Sequence, residues 1–317
     1  MIASPGTKQL PRMHPNLPLP RFYPLAIAAL LLLSSPCAAQ LQTPKPAAPA
    51  PVATGKPKSA VEHRSYFFEA AKKEIEYSLF APSGNDPAQP AGLVVLLHGL
   101  GSNPRQVLSY HGITTEAEKR GFFVVAPYGY NSRGWYGSRG NGKEGPLFGT
   151  KEDPDNLGEL SQQDVLNVLE LVQKEFKIDP DRIYLMGHSM GGAGTVHLAA
   201  TYPQLWAAIA ALAPALDDKT ERLERLRHLP AMFVMGDRDR LVPVASVRRW
   251  VEAMRKLEMD HRYVEIEGGD HANSIARNPQ MITGVFDFFA ERRRKPTKPA
   301  EETKPATPSR DQQPENR

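Results

Sequence analysis

The chain has 317 residues, 41% hydrophobic and 23% charged, with a formal net charge of +4 and a single cysteine. The basic excess sits at the ends: residues 1–60 carry six basic and no acidic side chains and residues 293–317 carry seven and four, leaving 26 basic against 31 acidic between them. A net-negative middle excludes a broad nucleic-acid surface there, and a lone Cys37 excludes a disulfide framework or a thiolate metal site.

In chain order, residues 22–33, "FYPLAIAALLLL", follow Lys8, Arg12 and Arg21 and precede the small-residue stretch "SSPCAAQ". This pattern predicts a signal peptide over residues 1–39, cut after Ala39, whose apolar run is too short to remain as a membrane span. Residues 40–60, rich in Pro and Ala, read as an extended linker, and residues 293–317 as a disordered charged tail. Residues 61–292 are expected to form one catalytic domain.

Within that domain, "EIEYSLFAP" (74–82) alternates like a half-exposed strand. The runs at 93–99, 122–127, 182–187, 207–214, 231–236 and 262–268 read as mostly buried strands. A helix is expected from Leu160 to Phe176, where Val165, Val168, Leu169, Val172 and Phe176 share one face. Others follow Ser189, Pro243 and Met281. Strand and helix in alternation predict an α/β fold, a mainly parallel sheet with helices on both faces. Such sheets gather chemistry beyond the C-terminal ends of their strands. There the sequence reads "HGLG", "GHSMGG", "GDRDRLVP" and "GGDH".

Ser189 stands between a strand and a helix, flanked by Gly187 and Gly191. A tight turn of this kind holds a hydroxyl up into a site and needs small neighbours, and the helix start favours developing negative charge. Ser189 is therefore the expected nucleophile, with the Met190 amide as one oxyanion donor. The Leu100 amide in "HGLG" is the second, because Gly99 and Gly101 permit the turn that aims it. A serine needs a base and an orienting carboxylate. Of nine histidines, His271 follows the last strand in the order Ser, Asp, His, and is the expected base. Asp239 is preferred to Asp237 as its partner, standing farther from the strand end, with Asp237 bracing the loop. Asp270 is expected to tune the loop, His188 to point away from the serine and bond locally, and His98 to hold the "HGLG" loop. The long Gly-rich connection 128–159 is the expected specificity element, with Trp135 and Tyr136 as an aromatic substrate wall and Phe148 closing over it.

Taken in order, "LHGLG", "GHSMGG", "GDRDRLVP" and "GGDH", with "APYGYNSRGWYG" and "DPDRIYLMGHSMGGAGT", resemble the α/β-hydrolase superfamily. The likeness is to secreted esterases of the polyhydroxyalkanoate-depolymerase and feruloyl-esterase type and to prolyl-oligopeptidase-like catalytic domains. It implies a Ser189, Asp239, His271 triad, oxyanion donors Leu100 and Met190, and no metal or organic cofactor. The expected activity is a secreted or periplasmic serine hydrolase cleaving small-molecule or oligomeric carboxylic esters through an acyl-enzyme. Neither nucleic acid nor stable membrane insertion is expected. The absence of the disulfides and binding module usual in enzymes acting on solid polymer points to a soluble ester. A prolyl-oligopeptidase-like peptidase is the alternative reading, and a non-catalytic binding protein on the same scaffold is the third.

Overall fold

A computed structural model describes residues 60–143 and 150–294. The expected signal peptide, the linker up to residue 59, Phe148 and the tail beyond residue 294 lie outside the described residues. The elements, in chain order, are β1 (Ala60–Phe68), β2 (Lys73–Ala81), β3 (Ala91–Leu97), α1 (Pro104–Leu108), α2 (Ile113–Arg120), β4 (Phe122–Pro127), α3 (Leu157–Glu175) and β5 (Ile178–His188). They continue with α4 (Met190–Thr201), β6 (Ala208–Leu212), α5 (Leu223–Leu226), β7 (Ala231–Gly236), α6 (Val244–Lys256), β8 (His261–Ile266), α7 (Asn273–Ala276) and α8 (Pro279–Ala290).

Among the described residues the strands form one eight-stranded sheet in the order β1-β2-β4-β3-β5-β6-β7-β8. The pairs β1·β2 and β2·β4 are antiparallel, and every pair from β4 to β8 is parallel. The central strands β3, β4 and β7 are buried along their whole length, which is why they read as unbroken apolar runs. Phe122 and Phe123, adjacent in β4, point to opposite faces. Phe122 packs at 6.1 Å between ring centres on Phe286 of α8, and Phe123 at 4.6 Å on Phe176 at the end of α3. Helices therefore cover both faces, as the strand and helix alternation predicts. No helix among the described residues is long and apolar enough to cross a membrane.

The seven expected strands correspond to β2 through β8 with ends shifted by a few residues. Strand β5 starts earlier than expected, at Ile178, because its polar first turn, "IDPDR", pairs with β3 only at Ile178 before the register shifts. Strand β1 is not legible in the sequence. It is an edge strand whose Val61 and Phe67 stay exposed while Phe68 is buried, so its apolar residues do not all mark the covered face. Helix α2 is also missed: its eight residues bury only Ile113, Glu116 and Ala117, too few for a periodic stripe.

One buried carboxylate ties the sheet edge to the connection after β4. Asp164 of α3 is fully buried; its Oδ1 accepts from the Tyr66 hydroxyl of β1 at 2.7 Å and its Oδ2 from the Gly129 amide at 2.7 Å. Burial pushes its pKa up to about 6 against these hydrogen bonds. Because the folded state holds this proton more tightly than the unfolded chain, near 3.9, the group's contribution is present below about pH 4 and lost as pH rises through about 6. Relative to Asp164→Asn, the wild type should therefore lose stability between pH 4 and 7 in urea unfolding. Asp164→Ala should cost about 2–3 kcal/mol at pH 7 by stranding two donors. A pH-independent difference or an unchanged midpoint would refute this account.

Candidate active site

Strand β5 passes into α4 through Ser189 alone. Its backbone sits at φ 57°, ψ −114°, a conformation that costs a non-glycine residue about 1–3 kcal/mol and persists only where neighbours fix it. Here they do: the Ser189 amide donates to Leu212 O at 2.9 Å, and its carbonyl accepts from Ala193 at 3.0 Å and Ala215 at 3.1 Å. A Cβ at Gly187 would meet Gly191 O at 2.3 Å, and one at Gly191 would meet Leu97 O at 2.3 Å. The two glycines flanking the serine let strand, turn and helix close on each other.

The structure brings Ser189, His271 and Asp239 into one line. His271 Nε2 lies 2.8 Å from Ser189 Oγ, and His271 Nδ1 lies 2.5 Å from Asp239 Oδ2. The Asp239 side chain has no exposed surface; its other oxygen accepts from the Leu241 and Val242 amides, each at 2.8 Å. A buried carboxylate needs such donors, so the turn after β7 is shaped around it. The loops after β7 and β8 are stitched together by the Arg238 amide to Gly269 O at 3.0 Å and the Asp237 amide to Ile266 O at 3.1 Å. Asp237 does not join the line: its Oδ1 is buried with no partner among the described residues, and its bracing runs through the backbone. Asp270 accepts from the Ala272, Asn273 and Ser274 amides at the start of α7. Hydrogen bonds, first that from the Asn273 side chain, hold its carboxyl below the ordinary range.

His188 does more than bond locally. Its Nε2 lies 2.8 Å from the His271 carbonyl and its Nδ1 2.8 Å from the Tyr110 hydroxyl. A carbonyl only accepts, so Nε2 carries the proton and Nδ1 accepts from Tyr110. Burial, then the neighbouring His271, pushes the His188 pKa down to about 4, which keeps this imidazole neutral near pH 7. Sequence spacing gives no sign of the Tyr110 partnership, which joins residues 78 positions apart.

The "HGLG" loop comes against the serine: a Cβ at Gly99 would lie 3.5 Å from Ser189 Cβ. Met190 is the first residue of α4, whose opening amides have no partner within the helix, and the Leu100 amide makes no hydrogen bond to an acceptor among the described residues. His98 is fully buried, its ring nitrogens 2.8 Å from Gly99 O and Tyr128 O. It ties this loop to the one after β4.

The aromatic wall expected at Trp135 and Tyr136 is not present. Tyr136 has no exposed surface; its hydroxyl accepts from the His98 amide at 3.1 Å, and its own amide donates to Ser161 Oγ at 3.0 Å. It is a post beneath the "HGLG" loop. Trp135 keeps 6% of its surface, and the Arg139 guanidinium covers its ring at 4.6 Å. Aromatic residues in a Gly-rich connection look like binding residues in sequence, yet here the sheet and α4 need them as packing. The open space beside His271 is a cleft of 400 Å³ lined by Arg238, Arg240, Leu241, Asp270 and Ala272, with Leu241 and, on the "HGLG" loop, Leu100 as exposed apolar groups.

The family model described as "Putative esterase" matches residues 69–273. Among curated relatives, "Putative esterase NocK" of Nocardia uniformis subsp. tsuyamanensis is 26% identical over 229 residues, covering 68% of this chain and 63% of its own length. Cutinase 2 of Thermobifida cellulosilytica is 35% identical over 111 residues, 35% of this chain and 40% of its own. The chain thus spans less than two thirds of the length of these relatives. A crystal structure of a thermostable esterase superposes with a TM-score of 0.59 at 23% identity, over 74% of this chain and 63% of that one. That likeness is one of fold, the α/β-hydrolase sheet.

The closeness of Gly191 to Leu97 O makes a sharp expectation. Gly191→Ala should lower the thermal midpoint by several degrees or prevent soluble expression, since backbone on both sides would have to move. A midpoint equal to wild type would show that the turn has room that the geometry denies it.

Proposed function

The chain belongs to this esterase family, and we infer that it is a carboxylic ester hydrolase with Ser189 as its nucleophile, His271 its general base and Asp239 the acid that orients the base. The observation that carries this reading is the continuous line of hydrogen bonds from Asp239 Oδ2 through the His271 ring to Ser189 Oγ. A carboxylate only accepts, so His271 Nδ1 carries a proton and Nε2 is left to accept from the serine hydroxyl.

As Ser189 Oγ attacks the ester carbonyl, its proton passes to His271 Nε2, and Asp239 stabilises the imidazolium that forms. The carbonyl oxygen becomes an oxyanion, for which the Leu100 and Met190 amides are the donors; each such donor contributes about 3–4 kcal/mol to barrier lowering. His271 then protonates the departing alcohol. Water, deprotonated by the same nitrogen, releases the acid from Ser189. The neutral His188, donating to the His271 carbonyl, fixes the backbone that carries the base. The exposed Leu100 and Leu241 and the small open cleft beside His271 suit a soluble ester of modest size. Residues 1–39 support export, so the site of action is outside the cytoplasm, in the periplasm or medium.

Ser189→Ala should lower hydrolysis of a short p-nitrophenyl ester by at least about 10⁴-fold and abolish fluorophosphonate labelling, with an unchanged circular dichroism spectrum. Retained labelling would move the nucleophile to another residue, and a wild type that neither labels nor turns over would favour the binding-protein alternative. Asp239→Asn should cost about 10⁴-fold while Asp237→Asn stays within about tenfold of wild type; equal losses would void the choice between them. The same rates on peptide anilides separate an esterase from a peptidase.

A further inference from the structure

A second cavity, of 540 Å³, lies between the 137–141 segment, the flank of α4 and the 217–225 segment. Its volume is that of a small-molecule site, about 300–1,000 Å³, and far more than one inorganic ion fills. Its lining is strongly cationic. Arg139, Lys219, Arg222 and Arg225 share it with one carboxylate, Asp217. Arg222 pairs with Asp217 at 2.9 Å, whereas Lys219 and Arg225 make no ion pair among the described residues. Lys219, Arg222 and Arg225 outnumber Asp217 by two positive charges there, on a domain whose middle is net negative. A concentration of one sign in a concave, partly desolvated place attracts the opposite charge well beyond what net charge suggests.

The remaining polar groups point the same way. Ser138, on the cavity lining, is buried, and its Oγ has no hydrogen-bond partner among the described residues. A buried hydroxyl left in that state is unfavourable until an oxygen or hydroxyl reaches it. Asn141 adds an amide donor and acceptor, and Thr201, whose hydroxyl donates to His197 O at 2.8 Å, adds an acceptor. His197 bonds Gln162 Oε1 at 2.7 Å, and burial, then Arg222 and Arg225, holds its pKa down at about 4. Near pH 7 the cavity's positive charge is thus carried by the arginines and lysine, without His197. Arg139 links the cavity to the serine's turn: its guanidinium donates to Ala215 O at 2.9 Å, and the Ala215 amide donates to Ser189 O.

We propose that this cavity is a binding site for a hydroxyl-rich anion, a carboxylated or phosphorylated sugar, whose acidic group meets Lys219, Arg222 and Arg225 and whose hydroxyls reach Ser138 and Asn141. An apolar acyl chain would strand these charges and donors, and a bare oxyanion would leave most of the volume unfilled.

Isothermal titration of the full chain tests this with four probes: digalacturonate, glucose 6-phosphate, inorganic phosphate and neutral cellobiose. Binding of either acidic sugar, tighter than phosphate or cellobiose and weakened by salt, supports the site, and the tighter of the two identifies the acid it takes. The Lys219→Gln/Arg225→Gln variant, changing two exposed side chains, should weaken that binding about tenfold. Arg105→Gln, on α1, should leave it unchanged and so controls for general surface charge. A Kd above about 10 mM for both sugars, phosphate binding as tightly as either sugar, cellobiose binding equally well, or an affinity indifferent to Lys219→Gln/Arg225→Gln would each overturn the proposal.

Discussion

The buried carboxylate of Asp239 is the constraint around which this edge of the sheet is arranged. A charge with no exposed side-chain surface is sustained only by donors, and it finds three: the Leu241 and Val242 amides and the His271 ring. The two amides fix the turn after β7, and the ring draws the loop after β8 toward it. Once both loops are drawn together, His271 Nε2 stands 2.8 Å from the Ser189 hydroxyl. The same demand for satisfaction that stabilises the fold thus sets the geometry of the proposed chemistry.

A second layer keeps that geometry from relaxing. Ser189 holds an unfavourable backbone conformation because Leu212, Ala193 and Ala215 each bond it. His188, adjacent to it in sequence, spans from Tyr110 to the His271 carbonyl. Nucleophile and base are therefore tied through the backbone as well as through their side chains. Tyr136 performs the corresponding task for the "HGLG" loop, bonding the His98 amide from below. Rigid positioning of this kind is what allows oxyanion donors to act without reorganising during reaction.

The sheet was legible in the sequence because its central strands are buried on both faces and carry no polar interruption. The elements that are not legible lack that contrast. Strand β1 sits at an edge with Phe67 half exposed, and α2 is too short to repeat. The serine's surroundings were legible for a steric reason: only glycine fits at positions 187 and 191, so the local pattern had to show it. The role of the aromatic pair was not. Whether Trp135 and Tyr136 line a cleft or prop a loop depends on contacts with His98, Ser161 and Arg139, distant in sequence, and a residue's own type does not reveal which.

Charge gives the clearest case of a global quantity concealing a local one. The middle of the chain is net negative, yet that sum says nothing of how the charges are placed. Acidic side chains are largely spent in surface pairs such as Arg64 with Glu175 and Arg248 with Glu265, and in buried roles such as those of Asp164 and Asp239. Basic side chains without an ion pair among the described residues collect as Arg238 and Arg240 beside His271 and as Lys219 and Arg225 around the cavity flanking α4. At a screening length of about 8 Å in physiological salt, an approaching molecule feels these clusters and not the sum. The electrostatic character of the domain's concave places is accordingly opposite in sign to that of its composition.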